Sequence, residues 1–269
     1  MLVLILTSFC VLATACPQKS TVNPVTTSVS PDDTAAAATR QVTVDALKAL
    51  WSGYALPQTD YNTPDSARQE GWFDVNDYFS ILTHLSMQPG YVLDYVYHNG
   101  GSAAQPYLYA RKIDSKPFNT LEELTETYVD KTKDHTYDYL SYVQTDDTDE
   151  SFFQYITLRI MGGQFYLWWH ANYNDHTITC DYTSLKALFA KTASFLEQTV
   201  PLDIQKEAQR LDLAPSVKIN KDTVTVRVVI FTKWGGFIEE TYSVTRTFPH
   251  ITEDIKTKTL VPWQINITF

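Results

Sequence analysis

Only nine glycines punctuate this chain, and six of them stand in adjacent pairs, at 100–101, 162–163 and 235–236. Each pair lies between runs rich in Val, Ile, Tyr, Phe and Trp. Paired glycines supply the positive φ that tight hairpin turns demand, so the pattern predicts three β-hairpins and a mostly antiparallel sheet.

Pairing residues outward from each turn shows which side chains would share a face. With a two-residue Gly162-Gly163 turn, Ile160 faces Phe165, Leu158 faces Leu167, Ile156 faces Trp169 and Phe152 faces Tyr173, an apolar core face. The reverse face then pairs Arg159 with Tyr166, Thr157 with Trp168, Tyr155 with His170 and Phe153 with Asn172. A one-residue slip would mix the two sets. For the last pair, a three-residue Trp234-Gly235-Gly236 loop gathers Val224, Val226, Val228, Ile230, Ile238, Tyr242 and Val244 on one side. Arg227, Glu239 and a row of threonines fall on the other, half-solvated side. Around the first pair, Tyr97 opposite Tyr107 and Tyr95 opposite Tyr109 would make a tyrosine ladder on one face.

Helical spacing fills the intervals. Asp74 precedes Val75, Phe79 and Leu82; Thr120-Leu-Glu-Glu123 has the form of a capping box before Leu124 and Tyr128. Leu185, Leu188, Phe189, Ala193 and Leu196 form one apolar stripe, and a short helix is expected after Pro201. Hairpins separated by amphipathic helices predict the α+β class, a mostly antiparallel sheet built from the three Gly-Gly hairpins with helices on one face.

The ends carry a different message. The chain opens MLVLILTSFCVLATAC, an apolar run too short to anchor comfortably across a bilayer, and it ends in the small residues Ala13-Thr14-Ala15. Residues 1–15 therefore read as a signal peptide cut before Cys16. The stretch resembles the lipobox of bacterial lipoproteins, in which a small residue precedes a Cys that is diacylated and becomes the mature N-terminus; Thr14 and Ala15 fit, while the family's usual Leu falls at Leu12 rather than at Ala13. That resemblance implies lipidation of Cys16 and a membrane partner through the lipid. In diderm bacteria Pro17, not being the aspartate of inner-membrane retention, implies the outer membrane. Residues 16–42 then form a Thr/Ser/Pro/Ala tether with too little apolar surface to offset its ordering entropy. Residues 43–269 remain as one α+β domain. With Cys10 removed and Cys16 acylated, Cys180 is alone and no internal disulfide forms.

A formal net charge of −10 disfavours nucleic acid as a partner. On the outer face of the middle hairpin, Tyr155, Arg159, Tyr166, Trp168, His170 and Asn172 would offer aromatic faces, a guanidinium, an imidazole and an amide. Those groups suit a small polar ligand with apolar surfaces, such as a sugar or peptide, or a contact with another envelope protein. The competing expectation is that this face is simply packed against other elements. His170 with Asp175 or Asp181 and Cys180 are the residue types of a thiol nucleophile and its base, which makes an extracytoplasmic hydrolase or transferase the alternative; a purely structural envelope component is the other. Catalytic motifs are otherwise absent from the sequence, and nothing in it calls for a metal or a cofactor. His170 and His176 frame an Asn-Tyr-Asn-Asp segment that reads first as turn chemistry. The acidic run through 122–150 reads as a solvated loop.

Overall fold

Two of the three glycine pairs turn hairpins, and the third ends a helix. The computed structural model describes residues 31–128, 139–196 and 199–265, and within them the chain is an α+β protein whose paired strands are all antiparallel. In order, it runs α1 (Pro31–Ser52), β1 (Ser66–Ala67), α2 (Tyr78–Ile81), β2 (Leu85–Met87), β3 (Tyr91–Asn99), β4 (Ala103–Lys112), α3 (Leu121–Tyr128) and β5 (Val143–Thr145). It continues with α4 (Asp149–Met161), β6 (Trp168–Trp169), β7 (Thr177–Ile178), α5 (Tyr182–Leu196), α6 (Leu202–Ala208), β8 (Ser216–Ile219), β9 (Thr223–Thr232), β10 (Gly236–Thr245) and β11 (Thr252–Val261). The segment read as a signal peptide and Cys16, the stretches 129–138 and 266–269, and the side chains of Tyr173, Ala193 and Leu196 lie outside the described residues.

The expected middle hairpin is replaced by α4. Thr148 opens this helix: its Oγ1 accepts the Ser151 N–H at 3.2 Å while Ser151 Oγ accepts the Thr148 N–H at 3.1 Å, a reciprocal cap. Gly162 closes it, donating its N–H to the Leu158 carbonyl at 2.8 Å with a helical φ of −58°. Every residue from Ser151 to Leu158 is buried. A helix apolar on all sides satisfies a two-residue alternation as readily as a helical one, which is why periodicity alone reads it as a strand pair.

The other two hairpins form, with adjusted registers. β3 and β4 pair Tyr97 with Pro106, Val96 with Tyr107 and Asp94 with Tyr109, one residue from the expected ladder. The turn sets this: Asn99 Oδ1 accepts the Gly101 N–H at 3.0 Å, and Gly100 donates to Ala103 O at 2.9 Å. The tyrosines therefore split, Tyr95 and Tyr97 entering the main core while Tyr109 faces away with Val96. β9 and β10 meet at Thr232 and Gly236, so the loop is Lys233-Trp234-Gly235, one place earlier than expected. Moving the loop by one place shifts each cross-strand partner by two, an even step that leaves the predicted faces intact.

The strands form a sheet in the order β1-β3-β4-β6, another in the order β11-β10-β9-β7 with β8 also on β9, and the small pair β2-β5. Leu93, Tyr95 and Tyr97 of the first sheet share one buried cluster with Phe152, Phe153 and Ile156 of α4, Val44 and Leu47 of α1, and Val224, Val226 and Val228 of the second sheet. The far face of the second sheet, with Val229, Phe231 and Phe237, is covered by Leu185 and Phe189 of α5 and Ala208 of α6. On the far side of the first, Leu124 of α3 packs on Val96 and Tyr109. Helices thus lie between and outside the sheets rather than on one face.

Two expected helices are shorter or differently capped than their patterns suggest. Asp74 does cap, accepting the Asn76 N–H at 3.0 Å, but a 3-10 turn leads into α2, which stops at Ile81 so that Leu85 opens β2. At α3, Thr120 Oγ1 accepts the Glu123 N–H at 3.1 Å while the Glu123 carboxylate reaches back to Asn119 N–H at 2.8 Å. The helix α1 extends into the segment read as tether, and Ala37, Arg40 and Gln41 are buried there. Arg40 is held by Glu150 at 3.3 Å, donates to Pro215 O at 2.9 Å and lies over the Phe153 ring at 5.1 Å.

Candidate functional site

The residues expected on one hairpin face come apart. Tyr155 and Arg159 ride on α4. Tyr155 is buried, its hydroxyl donating to His250 O at 3.1 Å, and Arg159 extends over the Tyr242 ring at 5.9 Å. Tyr166, Trp168, His170 and Asn172 follow one another along the connection between α4 and β7, where the short β6 (Trp168–Trp169) is the only strand among them. The first link is broken because α4 turns its side chains through a helical repeat, so alternate residues do not share a face.

That connection is irregular for physical reasons. Tyr166 and Trp169 both take positive φ, 52° and 45°, which non-glycine residues rarely adopt and which cost free energy unless surrounding contacts enforce them. Tyr166 is fixed by its hydroxyl, which accepts the buried Phe73 N–H at 2.9 Å. Trp168 and Trp169 pair with Ala104 and Ala103 at the sheet edge. Their rings meet Tyr61 edge to face, at 5.7 and 5.1 Å between centroids, and Trp169 stands 4.4 Å from the His170 ring. Trp169 and Tyr61 stay exposed, so this corner is an aromatic ledge. Asn172 then turns back, its amide donating to Trp169 O at 3.2 Å.

The same connection walls a groove of about 270 Å³, between the end of α1 (Lys48, Trp51), Leu188 of α5 and Phe231 and Lys233 at the end of β9. Gln164, Leu167, Asn172, Asp175 and His176 line it from the connection itself. A shallower cleft of about 290 Å³ adjoins, sharing Trp51, Gln164, Leu167 and Asn172 and adding Tyr54, Leu56 and Tyr166. The polar centre is an ion pair, with Lys233 Nζ 3.2 Å from Asp175 Oδ2. The Lys233 backbone N–H reaches Asp175 Oδ1 at 3.3 Å, and its ammonium donates to Asn172 O at 3.3 Å. Burial pushes the Asp175 carboxyl above the ordinary carboxylate range, and the Lys233 charge only partly opposes it. Apolar walls around a few converging polar groups, one with a shifted pKa, are the ordinary make-up of a ligand site.

A second concavity, about 420 Å³, lies between β2, β5 and the β10–β11 connection. It is more open and largely polar, and its charged groups satisfy one another. His84 Nδ1 sits 2.6 Å from Asp146 Oδ2, and Arg246 grips Asp147 with two bonds of 2.8 and 2.7 Å. At its wall His250 is placed by Thr245 O on Nδ1 at 3.0 Å and Thr145 Oγ1 on Nε2 at 3.1 Å, so the ring donates from Nδ1 and accepts at Nε2.

The thiol alternative finds its parts committed elsewhere. Cys180 is buried, which pushes its thiol up and out of reach of ionisation, and its N–H donates to Gln41 Oε1 at 2.9 Å. Asp181 caps α5, accepting the Ser184 N–H at 2.7 Å, and Asp175 holds Lys233. Sequence reasoning placed Asn172 in the site but missed Trp51, Asp175 as a partner of Lys233, and Lys233 itself. Spacing holds no signal for a pair separated by this much chain. No family model, curated protein or solved structure matches the chain.

Proposed function

We propose that this is an exported envelope protein, tethered to a membrane by lipid on Cys16, whose α+β domain binds a small ligand in the groove between α1, α5 and the α4–β7 connection. The export half rests on the N-terminal run and its resemblance to a lipobox. The binding half rests on one observation: a half-buried Asp175–Lys233 pair lies in a groove walled by the same connection that carries two positive-φ residues, Tyr166 and Trp169. Strain of this kind is retained where surroundings over-determine it, and it gathers at ligand clamps. The Trp168–Trp169–Tyr61 ledge, carried by the same connection, offers exposed ring faces to a partner protein. No helix among the described residues is long and apolar enough to cross a membrane.

Two measurements test the halves separately. Replacing Cys16 by Ser is expected to move the protein from the membrane fraction to the soluble one; retention in the membrane would end the lipid-anchor reading. For the groove, small organic fragments of mixed charge can be screened by NMR, using the Trp51 indole N–H and the Asn172 amide as reporters. Hits that shift those signals are expected, and a screen whose hits all fall elsewhere would remove the groove as the site.

A further inference from the structure

We propose that the ligand of this groove is a small amphipathic anion, a carboxylate or phosphate head on a single ring or short acyl body; the inference rests on the groove being the binding site. The chain as a whole is strongly acidic, with a formal net charge of −10. The groove reverses that sign locally: Lys48 and Lys233 line it against one carboxylate among its described residues, Asp175. Asp45 lies 3.9 Å from Lys48 but on the solvent side, with 62 % of its side chain exposed, where water screens it.

The two lysines are placed to meet a head group rather than to float in solvent. The Lys233 side chain is only 14 % exposed and that of Lys48 28 %, so an anion reaching them meets partly desolvated charges, whose attraction exceeds that of surface lysines. Asp175, 3.2 Å from the Lys233 ammonium, is the carboxylate an incoming anion competes with, and burial makes its charged form cost more than in water. An incoming carboxylate or phosphate can therefore share or displace it on the ammonium. Trp51 and Leu188 supply the apolar wall for the body. A volume of about 270 Å³ sits at the small end of ligand pockets, which limits that body to one ring or a short chain. A cationic ligand would find one carboxylate among the groove's described residues, Asp175, which Lys233 already pairs, and a long polyanion would be repelled by the rest of the surface.

Calorimetry on the full-length chain with phenylpropanoate, phenylpropyl phosphate, phenylpropanamide and phenylpropylamine separates head charge from body. The expected order is one of the two anions tightest, the amide at least about tenfold weaker, as loss of a charge-assisted bond implies, and the amine without measurable affinity. Which anion leads distinguishes a carboxylate from a phosphate source. Lys48→Met is expected to weaken the anion about tenfold at unchanged thermal stability, and Asp175→Asn, which removes the competing charge, to tighten it. Equal or tighter binding of amide or amine with the Trp51 signal shifting, or weaker anion binding by a folded Asp175→Asn, overturns the anion inference and leaves the groove standing. Silence from all four probes at Trp51 overturns both.

Discussion

The hydroxyl of Tyr166 accepts the backbone N–H of Phe73 at 2.9 Å, in a place where Phe73 is fully buried. This one bond ties the strained α4–β7 connection to the segment that leads into α2, and it satisfies a donor that has no access to water. Tyr166→Phe keeps the ring contacts with Trp72 and Phe165 while orphaning that donor. The expected cost is about 1–3 kcal/mol. For a domain of this size that is a drop of several degrees in Tm, about 2–4 °C per kcal/mol. Denaturant unfolding should show a lower midpoint with an unchanged slope; an unmoved midpoint would mean the bond does not hold the connection in place.

Arg40 decides where the folded domain begins. It lies in the stretch that composition assigns to the tether, yet its guanidinium joins Glu150 of α4, the Pro215 carbonyl and the Phe153 ring. A chain beginning at residue 43, the boundary composition suggests, loses those contacts and the buried Ala37. Arg40→Ala alone is expected to cost about 2–3 kcal/mol, since it leaves Glu150 without its charged partner and the Pro215 carbonyl without its donor. The chain starting at 43 should lose more than the single substitution, and one starting at 31 should unfold as the full chain does. Equal stability of the 43 and 31 forms, read by calorimetry, would return residues 31–42 to the tether.

These two cases show what the sequence makes legible. Where a face is half apolar, as in β9 and β10, alternation assigned the inward Val224, Val226, Val228 and Ile230 correctly even with the loop displaced. The stripe of α5 likewise puts Leu185 and Phe189 on the sheet. α4 defeated the same reasoning because it is buried all round, and the one local mark of a helix was Thr148-x-x-Ser151, a weaker cap signal than one ending in Glu or Gln. In α1 the spacing of Ala37, Gln41, Val44 and Trp51 is helical, but a composition rich in Thr, Pro and Ala in the preceding residues hid its start. The groove was invisible for a different reason: Trp51, Asp175 and Lys233 meet only through tertiary packing, and no local rule couples them.

His250 carries an acid-side prediction. Burial holds its pKa below the ordinary value of 6.5, against the pull of Asp147 and of the bond to Thr245 O. Phe152, Tyr155 and Phe248 rings surround it, and Asp147 is the charged group that acts on it. The unfolded chain therefore binds a proton that the native state refuses. Stability from this group is complete above about pH 6.5 and falls as the pH drops from there toward the native pKa. Asp65, Asp146 and Asp147, whose carboxyls are held below 3.8, add their own losses only at lower pH. His250→Asn, which can keep the bond to Thr245 O, should flatten the slope of unfolding free energy just below pH 6.5, before the carboxylates begin to titrate. An unchanged slope would show that other groups account for it.

The helix end at Gly162-Gly163 makes a prediction opposite to that of a hairpin turn. In a turn built on paired glycines both residues need positive φ, and alanine is costly at each. Here neither has it. Gly162 is closed by its neighbours, since a Cβ there would come within 2.5 Å of the Leu158 carbonyl oxygen and 3.1 Å of Leu158 Cδ1 and Tyr139 Oη. At Gly163 the nearest atom, Pro106 O, stands 3.9 Å away, so a methyl group fits. Gly162→Ala is therefore expected to cost about 1–3 kcal/mol through overpacking, and Gly163→Ala to stay within about 0.5 kcal/mol of the parent. Gly236→Ala supplies the contrast, because Gly236 has φ +77° and a Cβ would strike the Val261 carbonyl at the β10–β11 edge. Its loss should exceed both. Comparable large losses at 162 and 163, measured by urea denaturation, would contradict a helix that ends at this pair.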